Sequence, residues 1–395
     1  MELINILYEK EYFGFEENAQ KYVEELFFDV SCPRPLILTG TGKICYIPRS
    51  RRTRLHSGMC FSMSIKKTRK SLSLYAISAT TMLQLNIFNL KKEISMKKIL
   101  ITGGTTFVSK YAAKYFVEHG YDVYVVNRNS KPQVKGVTLI ESDRHNLGDK
   151  LKNLHFDVVA DITAYDAQDI IDLHNSLDSF DQYIMISSSA VYPEYGVQPF
   201  PEDSERAVNK FWGKYGTDKI EAENALLERV PDGYILRPPY LYGSMDNVYR
   251  EAFVFDCAMA DRKFYLPEAG EMKLQFFHVE DLCRLMEVLI TKRPTDHILN
   301  VGNENVISIS DWVIKCYACF DKVPEFVSVP ETVEQRNYFS FYNYEYCLDV
   351  TRQKKIYPET MSMDAGLQEA ANWYIEHEGE VNKKPYWKYI DANLV

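Results

Sequence analysis

Cysteine is scarce in this 395-residue chain, with eight residues thinly spread. A disulfide scaffold is thereby excluded, and the thiols read as reduced, buried side chains of a cytosolic protein. Glycine (18) and proline (16) are too few for a collagen-like chain. A convincing membrane span is also missing. The one long uncharged run, residues 71–90, is interrupted by Ser, Thr, Asn and Gln and begins too far from the N-terminus for a signal peptide. What is present is ordinary for a globular protein, 46% hydrophobic and 26% charged. That excludes disorder throughout and suffices for one large or two medium cores.

Charge divides the chain. Residues 34–70 hold ten basic residues and no acidic one, and residues 1–95 carry 14 Lys+Arg against 9 Asp+Glu. Residues 96–395 carry 32 against 46, a balance of −14. An acidic body argues against nucleic acid as the main ligand, because phosphate binding needs a basic footprint. Residues 1–95 also lack a sustained helix or strand pattern after about residue 28. They read as an extension outside the fold, with Met96 a natural first residue of the patterned part.

From Met96 onward apolar strands alternate with helical stretches. Strands are expected near residues 99–101, 123–126, 137–140, 157–161, 183–187 and 234–237. Val108, Tyr111, Ala112, Tyr115 and Phe116 recur at helical spacing, and Gly120 ends that helix. Near-continuous apolar strands separated by helices mean a parallel sheet covered on both faces, the α/β doubly wound (Rossmann) architecture.

The first strand runs into TGGTTFVS, residues 102–109, and then a helix. A glycine turn at a helix N-terminus offers free backbone N–H groups to a pyrophosphate. Gly103, Gly104, Thr105, Thr106, Phe107 and Val108 are the candidate cofactor residues. Thr106 and Ser109 stand where the TGxxGxxG spacing has glycine. The second strand ends in Asn127–Arg128, where an NAD site usually has a carboxylate for the ribose. The missing acid and the added cation tilt the choice toward NADP over NAD. Asp143 after the third strand either bonds the adenine amine or caps a turn.

Tyr215 and Lys219 lie four apart in a helical stretch and share a face. A tyrosine is a poor base at neutral pH unless a neighbouring ammonium favours its phenolate. The fifth strand ends in Ser187–Ser188–Ser189–Ala190–Val191–Tyr192, hydroxyls at the carboxyl end of a central strand, where doubly wound folds bind ligands.

With these pieces in order, the chain from Met96 resembles an extended short-chain dehydrogenase/reductase, the NAD-dependent epimerase/dehydratase family. The matching segments are TGGTTFVS (102–109), SSSAVYP (187–193), YGTDK (215–219), LRPPYLYG (236–243), FFHVEDL (276–282) and LNVG (299–302). The GGTxF turn is similar to an atypical branch that includes plant chloroplast stem-loop-binding proteins. The resemblance implies a Rossmann core over 96–243 with a returning segment at about 275–305. It implies a smaller substrate lobe over about 244–274 and 306–395. It implies Ser188, Tyr215 and Lys219 as the catalytic group, with Lys219 also on the nicotinamide ribose, and places Ser189, Tyr240 and His278 on the substrate side. The implied reaction is NAD(P)-dependent epimerisation or reduction of a sugar-like, nucleotide-sugar class substrate, with a small carbohydrate as partner and room for a homodimer.

Departures narrow this. Ser189 and Ala190 stand where dehydratases keep acidic residues, and neither can act as acid or base at neutral pH. Tyr240 and Leu274 replace an Asn and an Arg that would meet a diphosphate. Cys316 and Cys319 form a lone CxxC in a helical stretch and read as core thiols, with no metal site expected. His278 reads as a structural histidine, and Trp212 with the aromatics of 373–389 as core or interface. The competing readings are a non-catalytic dinucleotide- or RNA-binding relative, and an enzyme tethered to a membrane by residues 71–90.

Overall fold

The computed structural model describes residues 96–395, together with Thr53–Arg54 and Cys60–Phe61, which pair antiparallel. The rest of 1–95, including the run 71–90 and most of the basic stretch, lies outside the described residues.

From residue 96 the elements run β1 Lys98–Thr102, α1 Phe107–Glu118, β2 Asp122–Asn127, β3 Thr138–Glu141, β4 Val158–Asp161, α2 Ala167–Ser176, β5 Tyr183–Ile186, α3 Lys214–Arg229 and β6 Tyr234–Arg237. They continue β7 Tyr240–Tyr242, α4 Glu251–Met259, β8 Phe264–Pro267, β9 Phe276–His278, α5 Val279–Lys292, β10 Ile298–Asn300, α6 Ile309–Ala318, β11 Phe326–Val329, α7 Met363–His377 and α8 Tyr386–Asn393. Shorter segments are left without labels.

Seven strands form one parallel sheet in the order β10-β6-β5-β4-β1-β2-β3. The alternation of side chains splits its apolar residues between two cores. Ile99, Ile101, Val123 and Val125 pack with Ala112 and Phe116 of α1 and Leu282 and Leu289 of α5. Leu100, Val159, Tyr183, Met185 and Ile235 pack with Ile170 and Leu173 of α2 and Ala222 and Leu226 of α3. The strand order reverses beside β1, which opens a crevice at the carboxyl ends of β1 and β4. The expected strands appear with ends shifted by a residue. Asp157 falls outside β4 because its carboxylate accepts from the Lys98 amide at 2.7 Å.

A further core, built on aromatics, lies beside the sheet and draws on Tyr192 and Tyr240 as well as on later residues. Phe253, Phe276, Trp312, Phe339, Phe341 and Tyr374 are buried in it, and Phe276 stacks on Trp312 at 5.5 Å and 7°. The parallel pairs β7–β9 and β8–β11 frame that core. Cys316 is buried there and Cys319 half-buried, both as free thiols. Among the described residues no helix is long and apolar enough to cross a membrane.

Helix α3 positions the site. Its buried stripe, Gly216, Lys219, Ala222, Glu223 and Leu226, carries two charges. Glu223 explains one of them. Its carboxylate accepts from Arg237 Nε and Nη2 at 2.9 and 2.7 Å, from Arg206 Nη1 at 2.8 Å and from Ser187 Oγ at 2.5 Å. One side chain thus ties α3 to the ends of β5 and β6. Gly216 lets the helix come close, since a Cβ there would lie 2.4 Å from the Ala190 carbonyl oxygen.

Glu223→Gln should therefore leave Arg237 buried beside a neutral amide. An uncompensated buried charge costs about 3–5 kcal/mol. Urea unfolding should show a loss of that order, against a change under about 0.5 kcal/mol for an exposed control such as Glu221→Gln on the same helix.

Candidate active site

The glycine turn is fixed by packing. Gly103 and Gly104 have φ of +93° and +96°, a region that strongly favours glycine. A Cβ on Gly103 would lie 2.8 Å from Ser109 Oγ, and one on Gly104 2.7 Å from Val125 Cγ1. Ser109, in place of a third glycine, sits under the turn with its hydroxyl on the Thr106 carbonyl at 2.9 Å. Thr105, Thr106 and Val108 are half-buried, and Phe107 is buried at φ +35°.

The N-terminus of α1 has no side-chain cap bond at its N-cap, Thr106, and its first turn has no acid. Helix N-termini attract anions, yet a cation lies here: Lys131 Nζ donates to Thr106 Oγ1 at 3.3 Å. Free N–H groups beside an ammonium fit a phosphate. Asn127 Nδ2 donates to the Gly103 carbonyl at 2.6 Å and so braces the turn from β2, while Arg128 is exposed next to it. Asp143 accepts from the His145 amide at 2.9 Å and caps the turn that follows β3.

Beneath the turn lies a polar hub that the sequence did not reveal. Asp161, fully buried at the end of β4, accepts from Thr102 Oγ1 and Tyr183 OH, both at 2.7 Å, and from Arg144 Nη2 at 3.0 Å. Thr102 Oγ1 accepts in turn from the amides of Ile162 and Thr163. The carboxyl ends of β1 and β4 are thereby tied to each other and to Tyr183, the first residue of β5.

Lys219 occupies the next position along this edge. It is 3% exposed, and its ammonium donates to the carbonyls of Ala164 and Ile186 at 2.6 and 2.9 Å. It also lies 5.2 Å from the Tyr165 ring centroid and 5.9 Å from that of Tyr215. Burial pushes it down to about 8, opposed by Asp161 and Glu223. Tyr215 keeps 39% of its surface exposed, so the cleft is open on this side. Burial nonetheless raises its phenol, and the neighbouring Ser188 hydroxyl works the other way. Ser188 Oγ accepts from the Ala190 amide at 3.2 Å, which points it off the end of β5. Ser188, Tyr215 and Lys219 are therefore brought together.

The remaining candidates divide. Ser189 and Tyr240 are buried beside this group, Tyr240 6.0 Å from the Trp212 ring and Trp212 6.2 Å from that of Tyr215. His278 is fully buried as the N-cap of α5, with Nε2 2.9 Å from Glu369. Lys131, Arg144, Asp161, Tyr165 and Arg250 join the site from residues that no local pattern marks. A cavity of about 360 Å³ lined by Asn305, Lys354 and Met361 shares no residue with it.

Comparison with known proteins places this geometry. A relative among curated proteins is the chloroplast stem-loop binding protein of 41 kDa b of Arabidopsis thaliana, 28% identical over 242 residues. The match spans 56% of this chain and 63% of the length of that relative. Among solved structures, UDP-glucose 4-epimerase with UDP-glucose from Thermotoga maritima matches at TM-score 0.58 and 17% identity, covering 71% of this chain and 99% of that one. dTDP-glucose 4,6-dehydratase with NAD from Bacillus anthracis matches at 0.58 and 16%, covering 72% and 98%. At such identities the structures speak for the fold. The family model for the NAD dependent epimerase/dehydratase family matches residues 99–302, from the first sheet strand to the last. The chain belongs to the NAD-dependent epimerase/dehydratase family.

Proposed function

We propose that residues 96–395 are an NAD(P)-dependent epimerase or reductase acting on a secondary alcohol or ketone of a sugar-like substrate. The observation that carries this reading is the meeting of Ser188, Tyr215 and Lys219 at the carboxyl end of β5.

An oxidised nicotinamide, when bound, supplies a hydride acceptor and a positive charge. The turn at Gly103–Gly104, the N-terminus of α1 and Lys131 would hold its pyrophosphate. Arg128 beside Asn127 favours a 2′-phosphate, hence NADP. Lys219, with a value of about 8, is charged at neutral pH. Its ammonium and the positive nicotinamide would together offset the burial that raises the Tyr215 phenol. Ser188 donates its hydroxyl hydrogen to the substrate oxygen and sets its distance from Tyr215. Tyr215 takes the hydroxyl proton as the carbonyl forms and returns it in the reverse step. If the ketone presents its other face before reduction, the net result is an epimer. If the products part, the result is oxidation or reduction. Ser189 and Ala190 offer no acid or base beside this centre, which speaks against elimination of water. The sugar nucleotide in the T. maritima structure and the NAD in the B. anthracis structure support the substrate and cofactor classes.

A second reading draws on the relative's name: a stem-loop RNA-binding protein of the same fold. Its mark would be stem-loop binding by the full chain that weakens steeply with salt. The acidic balance of residues 96–395 favours the enzyme.

Three outcomes are expected. Denaturing the purified full chain and analysing the supernatant by chromatography should release NAD or NADP if the enzyme is an epimerase that retains its cofactor. Cofactor that binds only on addition marks a reductase. In turnover assays with a panel of sugars and both cofactors, Tyr215→Phe should lower kcat about 10²–10⁴-fold with cofactor affinity unchanged. Undiminished turnover in that variant would remove the mechanism.

The third concerns pH. Below pH 8 the folded chain holds a buried ammonium on Lys219. Between about 8 and an ordinary lysine value near ~10.4 the unfolded chain binds the extra proton, so this residue's contribution to stability rises with pH. Urea unfolding from pH 7 to 10 should show that rise in the wild type relative to Lys219→Met. Parallel curves for the two proteins would contradict the burial argument.

A further inference from the structure

Arg250, like Arg336, is a cation near Tyr240 that the proposed catalytic group does not use. It stands at the N-cap of α4, with a side chain only 13% exposed. Its Nη2 donates to Asp246 at 3.1 Å, while Nε is buried without a partner among the described residues. An unpaired buried donor is costly unless a ligand completes it. The guanidinium lies over the Tyr240 ring at 5.5 Å from its centroid. Tyr240 in turn is 5.5 Å from Tyr346 and 6.0 Å from Trp212, which neighbours Tyr215. Arg250 is therefore linked through the Tyr240 and Trp212 rings to Tyr215, and its charge is felt at Tyr215 and Tyr346.

The acids around it do not cancel that charge twice. Asp246 pairs with Arg250. Burial and the neighbouring Asp246 push Glu251 up, and burial raises Asp246 as well, so the close pair resists carrying two negative charges. The two positions that would meet a diphosphate offer little to one, since Tyr240 is 8% exposed and Leu274 fully buried.

We infer that Arg250 is the receptor for an anionic group on the substrate, a carboxylate or a phosphate close to the carbinol that meets Tyr215. Its planar fork can keep Asp246 on one edge and give the other to two oxygens of the anion. This rests on the catalytic reading of Ser188, Tyr215 and Lys219 and narrows it: the substrate is an acidic sugar or a sugar phosphate.

The test is ligand-observed NMR on the full chain with glucuronate, glucose 1-phosphate and glucose as separate probes. At least one acidic probe should bind, glucuronate identifying a carboxylate and glucose 1-phosphate a phosphate, and glucose should bind about tenfold more weakly or not at all. Arg250→Gln should weaken the acidic probe about tenfold or more, and Arg250→Lys should restore part of the binding. The lysine variant serves if the glutamine variant melts early. Glucose binding as well as the acids, failure of both acids, or wild-type affinity in both variants would overturn the assignment. NAD and NADP are titrated in parallel. Cofactor binding without acid binding removes the Arg250 site alone. Acid binding that depends on Arg250, with no cofactor binding, removes the redox reading and leaves the site.

Discussion

The architecture of the site depends on a single buried ammonium. Lys219 has left water to sit between the carbonyl that follows β4 and the one that ends β5. Desolvating a cation is expensive, and two carbonyls with two aromatic faces offset it only in part, as its lowered proton affinity records. The compensation lies in geometry. An ammonium held by two strand ends fixes where α3 begins, and Tyr215 is one turn before it.

The other braces follow from that constraint. Glu223, one turn beyond Lys219, binds Arg237 and Ser187 and sets the register of α3 along the sheet. Gly216 removes the one side-chain atom that would hold the helix off the turn after Ser188. Asp161 ties the ends of β1 and β4 to Tyr183 at the start of β5. Tyr215, Lys219 and Glu223 thus lie at four-residue intervals on one stripe, where each interval serves a different purpose.

Legibility in the sequence followed the range of the interactions. The strands of the sheet could be read because burial on both faces leaves unbroken apolar runs. The glycine turn and the Tyr–Lys pair could be read because their parts are neighbours in the chain. Arg144, Lys131 and Arg250 could not, since their partners Asp161, Thr106 and Tyr240 stand 17, 25 and 10 residues away with no periodicity between them. Asp161 was visible only as the last residue of a strand, and nothing local distinguishes a hub from a strand end. The two hydroxyl-bearing residues of the turn, Thr106 and Ser109, read as departures from a glycine pattern. In three dimensions Ser109 folds back onto Thr106 and fills the space beneath Gly103.

The outermost strand of the sheet carries a further consequence. Strand β10 pairs with β6, yet residues 238–297 separate them, and those residues build much of the second core. A nascent chain emerging from the ribosome therefore presents β6 as a bare edge until residue 300 is made. Asn300 then closes it, receiving the hydroxyl of Tyr192 and donating its own amide to Phe200 and Asp349. Completion of the parallel sheet is thus delayed until part of the aromatic core has been synthesised, and the long loop to be closed makes this pairing slow relative to the hydrogen bonds of the first strands.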